Sequence, residues 1–350
     1  MSAMTDYAEQ LKAMCDSERK RMLDVDKRIR EGAKVRAVTG LLLSVVILII
    51  AWTVAGIMRQ KAVFIVAGIA SGLAALLCMQ FIPAKLRYVK VDGGYIVYGC
   101  IKFLRPCRAI PEKRRSLPVI GIADGAFEGT KKMYYLTLPA TVRIIGKRAF
   151  AACSDLRGLI LPEDSALADI GDECFKGCVN MTAFYAGESI GSIGKSCFDG
   201  CNVLKHAYLG SSIAIIGEGA FAGCGNLDDV NLSDKIITLP KAAFSGCCNL
   251  KQLILPSNLE KIETDCFAYC SSLTEIRVPP KVSYIGQCAF KDCSAARLIY
   301  IDSKPQFIGD GAFRNCKEAT LRFKTVRKAQ NGWNGQCFDN RMRVVYAEKQ

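Results

Sequence analysis

The chain has 350 residues, a formal net charge of +14 and 18 cysteines, but only one histidine. A basic excess of this size is typical of proteins that bind nucleic acid or an acidic membrane surface. The excess is concentrated, because residues 83–117 carry nine Lys and Arg against two Asp and Glu, whereas residues 118–350 are close to neutral. The large C-terminal part therefore lacks the basic stripe that nucleic-acid binding needs, and we exclude nucleic acid as a partner.

Residues 1–36 are predicted to form a cytoplasmic amphipathic helix. Strong helix formers fill residues 5–35 without a proline, and apolar residues recur in alternating steps of four and three, the spacing of a coiled-coil seam. Glu18 falls on that seam and interrupts it. We therefore favour a short helix that lies on a membrane or packs on the rest of the chain, with a dimerising coil as the alternative.

Two uncharged runs, residues 37–58 and 62–84, are separated only by Arg59-Gln60-Lys61. Each run is long enough to cross about 30 Å of hydrocarbon at about 1.5 Å per residue. A cleaved signal peptide is the alternative, but the charged leader and the second full-length run argue against it. The sequence thus predicts a transmembrane hairpin at residues 37–84. Because Lys and Arg lie mainly on the two outer flanks, we expect a multi-pass membrane protein with both termini in the cytoplasm.

Residues 85–116 are predicted to be a basic linker and a cap. Leu86–Val91 and Tyr95–Tyr98 flank Asp92-Gly93-Gly94, which is the pattern of a β-hairpin. A basic triplet near the end of this segment is a candidate for contact with anionic lipid, with a solvated linker as the alternative. Its residues are Lys113, Arg114 and Arg115.

A 23-residue unit recurs through residues 117–350. Phenylalanines mark its register at intervals of 23 residues, with one interval of 25. They are Phe127, Phe150, Phe175, Phe198, Phe221, Phe244, Phe267, Phe290 and Phe313. A period of this regularity indicates a solenoid of stacked units. An isoleucine or leucine stands five residues before each phenylalanine, and the stretch nine to eleven residues after it predicts a short strand with one buried face, as in Val230-Asn231-Leu232.

The unit resembles the BspA-like leucine-rich repeat family, whose copies read I-x-x-I-G-x-x-A-F-x-G-C-x-x-L. The copy that begins at Ile213 carries this signature through Ile216-Gly217, Ala220-Phe221, Gly223-Cys224 and Leu227. The resemblance implies an α/β solenoid of about nine leucine-rich repeats with short parallel strands, closed by a C-terminal cap that contains Trp333. It also implies binding to proteins or surfaces, without a shared catalytic apparatus. The whole predicted fold is this solenoid, preceded by an N-terminal helix and two transmembrane helices.

The cysteines are interpreted as structural. Eight lie three residues after a phenylalanine, and three pairs have C-x₃-C spacing at positions where other copies have alanine. A zinc site needs four converging ligands, often with histidine, and the chain offers only His206. We therefore predict no metal and no cofactor. Reduced cysteines that pack as small apolar residues favour a reducing compartment, which agrees with the cytoplasmic orientation.

Catalytic motifs are absent from the sequence: it has no phosphate loop, no nucleophile elbow, no zinc-protease motif and no dinucleotide fingerprint. We predict a protein that is not an enzyme, with no evident small-molecule substrate. Candidate partner-binding residues are those that face outward eight and ten residues after each phenylalanine, where tyrosines with apolar neighbours are typical of an interface. They are Tyr135, Ile160, Tyr185, His206, Tyr208, Arg277 and Tyr300. The alternative is that such residues merely fit an exposed strand.

The leading functional hypothesis is a non-catalytic, membrane-anchored leucine-rich repeat scaffold. It binds a protein partner of unknown identity through its open sheet face. One alternative is a surface-exposed adhesin with the repeats outside the cell, since many members of the family that the chain resembles are exported. The other is an accessory subunit of a membrane complex.

Overall fold

The computed structural model describes residues 86–100, 107–326 and 336–347, together with residues 24, 31, 46, 328 and 333. The named elements in this part of the chain are all β-strands. In chain order they are β1 (Leu86–Val91), β2 (Gly94–Cys100), β3 (Lys113–Arg114), β4 (Leu117–Ile122), β5 (Tyr135–Thr137), β6 (Ile144–Ile145), β7 (Gly158–Ile160), β8 (Asp169–Ile170), β9 (Ala183–Tyr185), β10 (Ser192–Ile193), β11 (His206–Tyr208), β12 (Ile215–Ile216), β13 (Asp229–Val230), β14 (Thr238–Leu239), β15 (Lys261–Ile262), β16 (Glu275–Val278), β17 (Tyr284–Ile285), β18 (Leu298–Ile301), β19 (Phe307–Ile308), β20 (Thr320–Phe323) and β21 (Arg343–Val345).

The predicted hairpin is present at the N-terminal end of the solenoid. β1 pairs antiparallel with β2 around a turn in which Gly93 has a φ of 86°, a conformation that glycine adopts without strain. β2 then pairs in parallel with β4. The hairpin therefore covers the edge that the first repeat would otherwise leave open.

Two ladders of parallel strands run along the repeats. The isoleucine ladder consists of the two-residue strands that end five residues before each phenylalanine: β6, β8, β10, β12, β14, β15, β17 and β19. The leucine ladder consists of the strands that begin seven or eight residues after each phenylalanine: β5, β7, β9, β11, β13, β16, β18 and β20, with β21 added at the end. The short strands predicted for the leucine ladder are confirmed in every copy except that of Phe244. The isoleucine ladder was not predicted, because two-residue strands are too short to show an alternating pattern.

The nine phenylalanines form one continuous stack. Neighbouring rings have centroid separations of 5.0–5.5 Å and interplanar angles of at most 15°, and every ring is fully buried. The turns that carry the rings also bond to one another, since the Phe221 N–H donates to the Ala243 carbonyl at 2.8 Å. The stack and its turns therefore set the spacing between successive repeats.

The described repeats form a β-solenoid, so the helical part of the expected α/β class is not found in them. The residues two before and two after each phenylalanine have positive φ angles of 48–77°. An α-helix needs consecutive right-handed residues, and two left-handed residues four positions apart allow only tight turns. The segment between the two ladders is therefore a turn in each copy.

Eight buried cysteine thiols form a regular row of hydrogen bonds. Each Sγ donates to the carbonyl oxygen of the phenylalanine in the preceding repeat at 3.0–3.4 Å. These are Cys153, Cys178, Cys201, Cys224, Cys247, Cys270, Cys293 and Cys316. The same oxygens also accept an N–H within their own turn, as Phe175 does from Cys178 at 3.0 Å, so the thiol fills the second acceptor position. The cysteines of this column act as packed hydrogen-bond donors.

The isoleucine ladder is interrupted between β12 and β14. In other copies the residue after the isoleucine donates its N–H to the preceding copy, as Gly217 does to Ile193 at 2.8 Å. The equivalent residue of the next copy is Pro240, which has no N–H. Within the fully described residues 107–326, β12 and β14 are the one pair of successive strands in this ladder that does not pair.

The leucine ladder lacks one strand that the sequence predicts. Gln252–Leu255, in the same copy as Pro240, pairs with neither β13 nor β16. A second interruption lies between β7 and β9, where the 25-residue interval places two additional residues in the connection that follows β7. The alternation of polar and apolar residues predicts a strand at Gln252–Leu255. Strand pairing also requires that the main chains of neighbouring copies lie about 4.8 Å apart.

No helix among the described residues combines the length and the apolar character that a membrane crossing requires. This finding contradicts the predicted localisation as a multi-pass membrane protein with cytoplasmic termini, and that prediction is corrected here. The prediction rested on the length of two uncharged runs. Such a length shows that a segment is apolar in composition, but it does not show that the segment forms a helix. The helix predicted at residues 1–36 and the hairpin predicted at residues 37–84 lie outside the described residues, apart from Asp24, Glu31 and Val46.

Replacing Cys201 with alanine should lower the free energy of unfolding by about 1–3 kcal/mol, because the change removes a buried hydrogen bond and leaves a small cavity. Urea unfolding of the reduced protein measures the effect. Cys248→Ala is the matched control, since the Cys248 side chain is exposed, and it should change the value by less than about 0.5 kcal/mol. Equal effects of the two changes would show that the thiol column does not contribute to stability.

Candidate protein-binding face

The outward residues at the middle of the leucine ladder lie side by side. Tyr208 on β11 is in register with Tyr185 on β9, and His206 is in register with Ala183 on one side and Asp229 on the other. The strand residues between them face the core and are buried, whereas Tyr185, His206 and Tyr208 are partly exposed. The adjacency that the sequence predicts for these three residues is therefore present, and we call them the tyrosine row.

A hydrogen bond fixes one side chain of the tyrosine row, and a second side chain lies beside a carboxylate. The Tyr208 hydroxyl donates to Glu188 Oε1 at 2.6 Å, and the other oxygen of Glu188 accepts from the N–H and hydroxyl of Ser211 at 2.8 and 2.7 Å. The Nδ1 atom of His206 lies 3.3 Å from a carboxylate oxygen of Asp229. A ring that is already fixed loses little conformational freedom when a partner packs against it.

Tyr135 and Ile160 differ from the sequence expectation, because both are buried although they lie on the outward side of the ladder. Their exposed fractions are 8% and 5%. With Ala183 they form a small apolar cluster that is separate from the main core, and Tyr185 packs against its edge. These side chains cover one another and present little surface. Their role as partner-binding residues stays a prediction.

Arg277 and Tyr300 lie in the C-terminal half of the same ladder, in register on β16 and β18. The Arg277 guanidinium lies 4.8 Å from the centre of the Tyr300 ring and 3.9 Å from a carboxylate oxygen of Asp302. A cleft of about 650 Å³ opens beside Arg277 and reaches to Lys251. Sequence reasoning missed this cleft, although one signal was present: a proline stands in the place of the repeat's usual glycine.

The basic triplet near β3 contributes to the N-terminal cap. Arg114 is half-buried, and its guanidinium lies 4.1 Å from the centre of the Tyr88 ring. This cation–π contact ties β3 to the hairpin. Lys113 and Arg115 are exposed. Contact of the triplet with lipid stays a prediction.

Buried cysteines of the repeats are unsuited to nucleophilic chemistry in the folded chain. Burial is the main cause that raises the pKa of seven thiols, those of Cys174, Cys178, Cys201, Cys224, Cys247, Cys266 and Cys270. For Cys270 the pKa is raised to about 12. Because the thiolate is the reactive form, these cysteines stay protonated and inert near neutral pH.

The sequence profile described as BspA type leucine rich repeat region, with six copies, matches residues 120–247 and 204–320. These two overlapping matches span more than half of the chain. The chain belongs to this family. Repeat solenoids of the BspA type are typically scaffolds, and no catalytic family is indicated for this chain.

Solved structures of other leucine-rich repeat proteins are similar to this BspA-type chain. A leucine-rich repeat protein from Bacteroides ovatus has 24% identity and a TM-score of 0.52, with coverage of 76% of this chain and 89% of that one. A leucine-rich repeat protein from T. pallidum has 31% identity and a TM-score of 0.49, with coverage of 54% and 87%. No curated protein sequence matches the chain. The likeness to the Bacteroides protein shows the solenoid fold.

The buried thiols predict alkaline unfolding of the reduced protein. Above the ordinary thiol pKa of 9.0, the unfolded chain releases protons that the folded chain keeps. The stability that the buried, protonated thiols contribute is therefore complete below about pH 9 and falls as the pH rises. Each buried thiol that stays protonated in the folded chain lowers the free energy of unfolding by about 1.4 kcal/mol per pH unit in this range. We therefore expect stability to fall steadily above about pH 9.

Urea unfolding between about pH 8 and 10 measures this slope. Cys178→Ala and Cys201→Ala should each reduce the slope by about 1.4 kcal/mol per pH unit, whereas the exposed control Cys248→Ala should leave it unchanged. Identical slopes in all three variants would assign the alkaline transition to other groups.

Proposed function

We propose that this BspA-type chain is a non-catalytic repeat scaffold that binds a protein partner through the outward face of the leucine ladder. The observation that carries the proposal is the tyrosine row, in which two aromatic rings lie in register on adjacent strands. Tyrosine combines a large apolar ring with a polar tip and is enriched in interface hot spots. An adhesin would use the same scaffold and face, so the variants below test both forms of the proposal.

The shared positions of the repeat support assigning binding to this face. The phenylalanine, isoleucine and cysteine columns are buried and occupied by packing within the chain. The outward positions of the leucine ladder instead differ from copy to copy, from Tyr208 to Asn231, Ile254 and Arg277. Recognition of one partner requires a surface whose chemistry changes along its length, and the outward positions of the leucine ladder form such a surface.

A photo-crosslinking amino acid placed at Tyr208 should capture one partner protein in the cells that produce the chain. The same probe at Ile215 is the control, because Ile215 is 63% exposed but lies on the isoleucine ladder. Capture of the same protein from both positions, or from Ile215 alone, would overturn the assignment of binding to the leucine ladder.

With the captured partner purified, Tyr185→Ser together with Tyr208→Ser should weaken its affinity by at least about 30-fold, since both rings lose their contact area. Titration calorimetry measures the affinity, and thermal melting checks the fold. Tyr269→Ser is the matched control, because Tyr269 is an exposed tyrosine on the turn that follows Phe267. A large drop in melting temperature for the double variant would show instead that the tyrosines are core residues.

A further inference from the structure

The copy that contains Pro240 loses strand pairing in both ladders. β14 does not pair with β12, and Gln252–Leu255 pairs with neither neighbouring strand. The phenylalanine stack is nevertheless unbroken here, because the rings of Phe221 and Phe244 are 5.3 Å apart and inclined by 2°. The interruption is therefore a local opening of the sheets around an intact axis.

Close packing explains why a proline opens the sheets at this position. A Cβ atom added to Gly194 or Gly217, at the same place in the two preceding copies, would lie 2.4 Å from main-chain atoms of the copy before it. Pro240 carries both a Cβ atom and a ring, and it also lacks the N–H that the ladder uses. Its strand β14 therefore does not form the ladder bond with the preceding copy that its counterparts form.

The opening leaves a row of main-chain polar groups without partners. Among the described residues, the N–H and C=O groups of Gln252–Leu255 make no hydrogen bond. Leu253 and Leu255, which face the core, are 8% and 5% exposed, whereas the equivalent Ile276 and Val278 are 1% and 0% exposed. Both leucines remain buried, as do Leu159 and Leu161 of another copy at 4% and 6%, so the opening affects main-chain pairing and not the core.

Two clefts flank this copy. The cleft of about 650 Å³ on the leucine ladder is lined by residues that include Lys251, Ile254, Glu275, Arg277, Pro279 and Asp302. A second cleft of about 350 Å³ on the isoleucine ladder includes Lys241, the residue after Pro240. The larger cleft has the volume of a typical ligand site and contains the unpaired segment.

We infer that the larger cleft binds an extended peptide segment of a protein partner, which pairs its main chain with Gln252–Leu255. This inference rests on the proposed function, and it names the part of the outward face of the leucine ladder that binds the partner's main chain. Successive unpaired N–H and C=O groups along an extended segment are matched by another main chain with the same spacing. The occupant is therefore a polypeptide rather than a compact small molecule.

The side chains around the cleft define the peptide further. Ile254 and Pro279 offer an apolar contact for one aliphatic side chain. Lys251 and Glu275 also line the cleft, and neither forms an ion pair with any described residue. A peptide with an aliphatic residue that follows neighbouring acidic and basic residues complements this arrangement.

Hydrogen exchange of the full-length protein tests the opening itself. The amides of Gln252–Leu255 should exchange at least about tenfold faster than those of β18, which are paired on both sides. Pro240→Gly restores the donor and removes the ring, so it should slow exchange at Gln252–Leu255. Pro162→Gly, at a proline outside the ladders, is the control and should leave that exchange unchanged. Slow exchange at Gln252–Leu255 in the unaltered protein would overturn the inference.

Panning a display library of random twelve-residue peptides on the full-length chain tests binding. Selected peptides should protect the amides of Gln252–Leu255, and Ile254→Asp should weaken them about tenfold or more because the aliphatic contact is lost. Pro240→Gly should weaken them to a similar extent, while Pro162→Gly should not. A library that yields no binder, or binders that both Ile254→Asp and Pro240→Gly leave unaffected, would overturn the inference.

Two further outcomes separate this inference from the proposed function. Peptides weakened by the Tyr185→Ser and Tyr208→Ser changes but not by Ile254→Asp would map to the tyrosine row, which overturns the cleft and keeps the proposed function. Self-association of the chain that Ile254→Asp abolishes, measured by sedimentation, would identify a second copy as the occupant and overturn the peptide partner.

Discussion

The phenylalanine stack is the contact on which the rest of the solenoid depends. At the junction between the Phe221 and Phe244 copies neither ladder is continuous, yet the rings keep their spacing and the Phe221 N–H still bonds to Ala243. Main-chain bonds between turns and aromatic burial thus hold successive copies together without the sheets. This explains how one copy tolerates a proline that removes a ladder bond.

The same column of turns explains the cysteines. Each turn leaves a phenylalanine carbonyl with a free acceptor position that faces the next copy, and the space there admits only a small side chain. A thiol fits because it is small, apolar enough for the core and still a weak donor. The row of Sγ–carbonyl contacts follows from that single geometric requirement, repeated at every copy from Cys153 to Cys316. The recurrence of cysteine at this position of the repeat therefore reflects packing.

Sequence periodicity predicted the solenoid, its register and the strands of the leucine ladder, because a 23-residue repeat places the same residue at the same point of every copy. It did not predict the isoleucine ladder, whose two-residue strands leave no pattern. It also placed a strand at Gln252–Leu255, where local alternation is present but the segment pairs with neither neighbouring copy. For the candidate site, adjacency of Tyr185 and Tyr208 followed from register alone. The burial of Tyr135 and Ile160 depends on contacts between strands, which register does not reveal.

The most informative residues are those that depart from the repeat. A substitution at a shared position can remove strand pairing, as Pro240 does where six other copies have glycine, whereas a substitution at an outward position changes only the surface. The copy that runs from Pro240 to Leu255 differs from the others both at a shared position, Pro240, and at outward positions of the leucine ladder. Its neighbours on either side keep their ladders, so an opened segment lies between two rigid blocks of sheet. A partner that pairs with this segment would gain the kind of main-chain hydrogen bonds that join the paired strands of the leucine ladder.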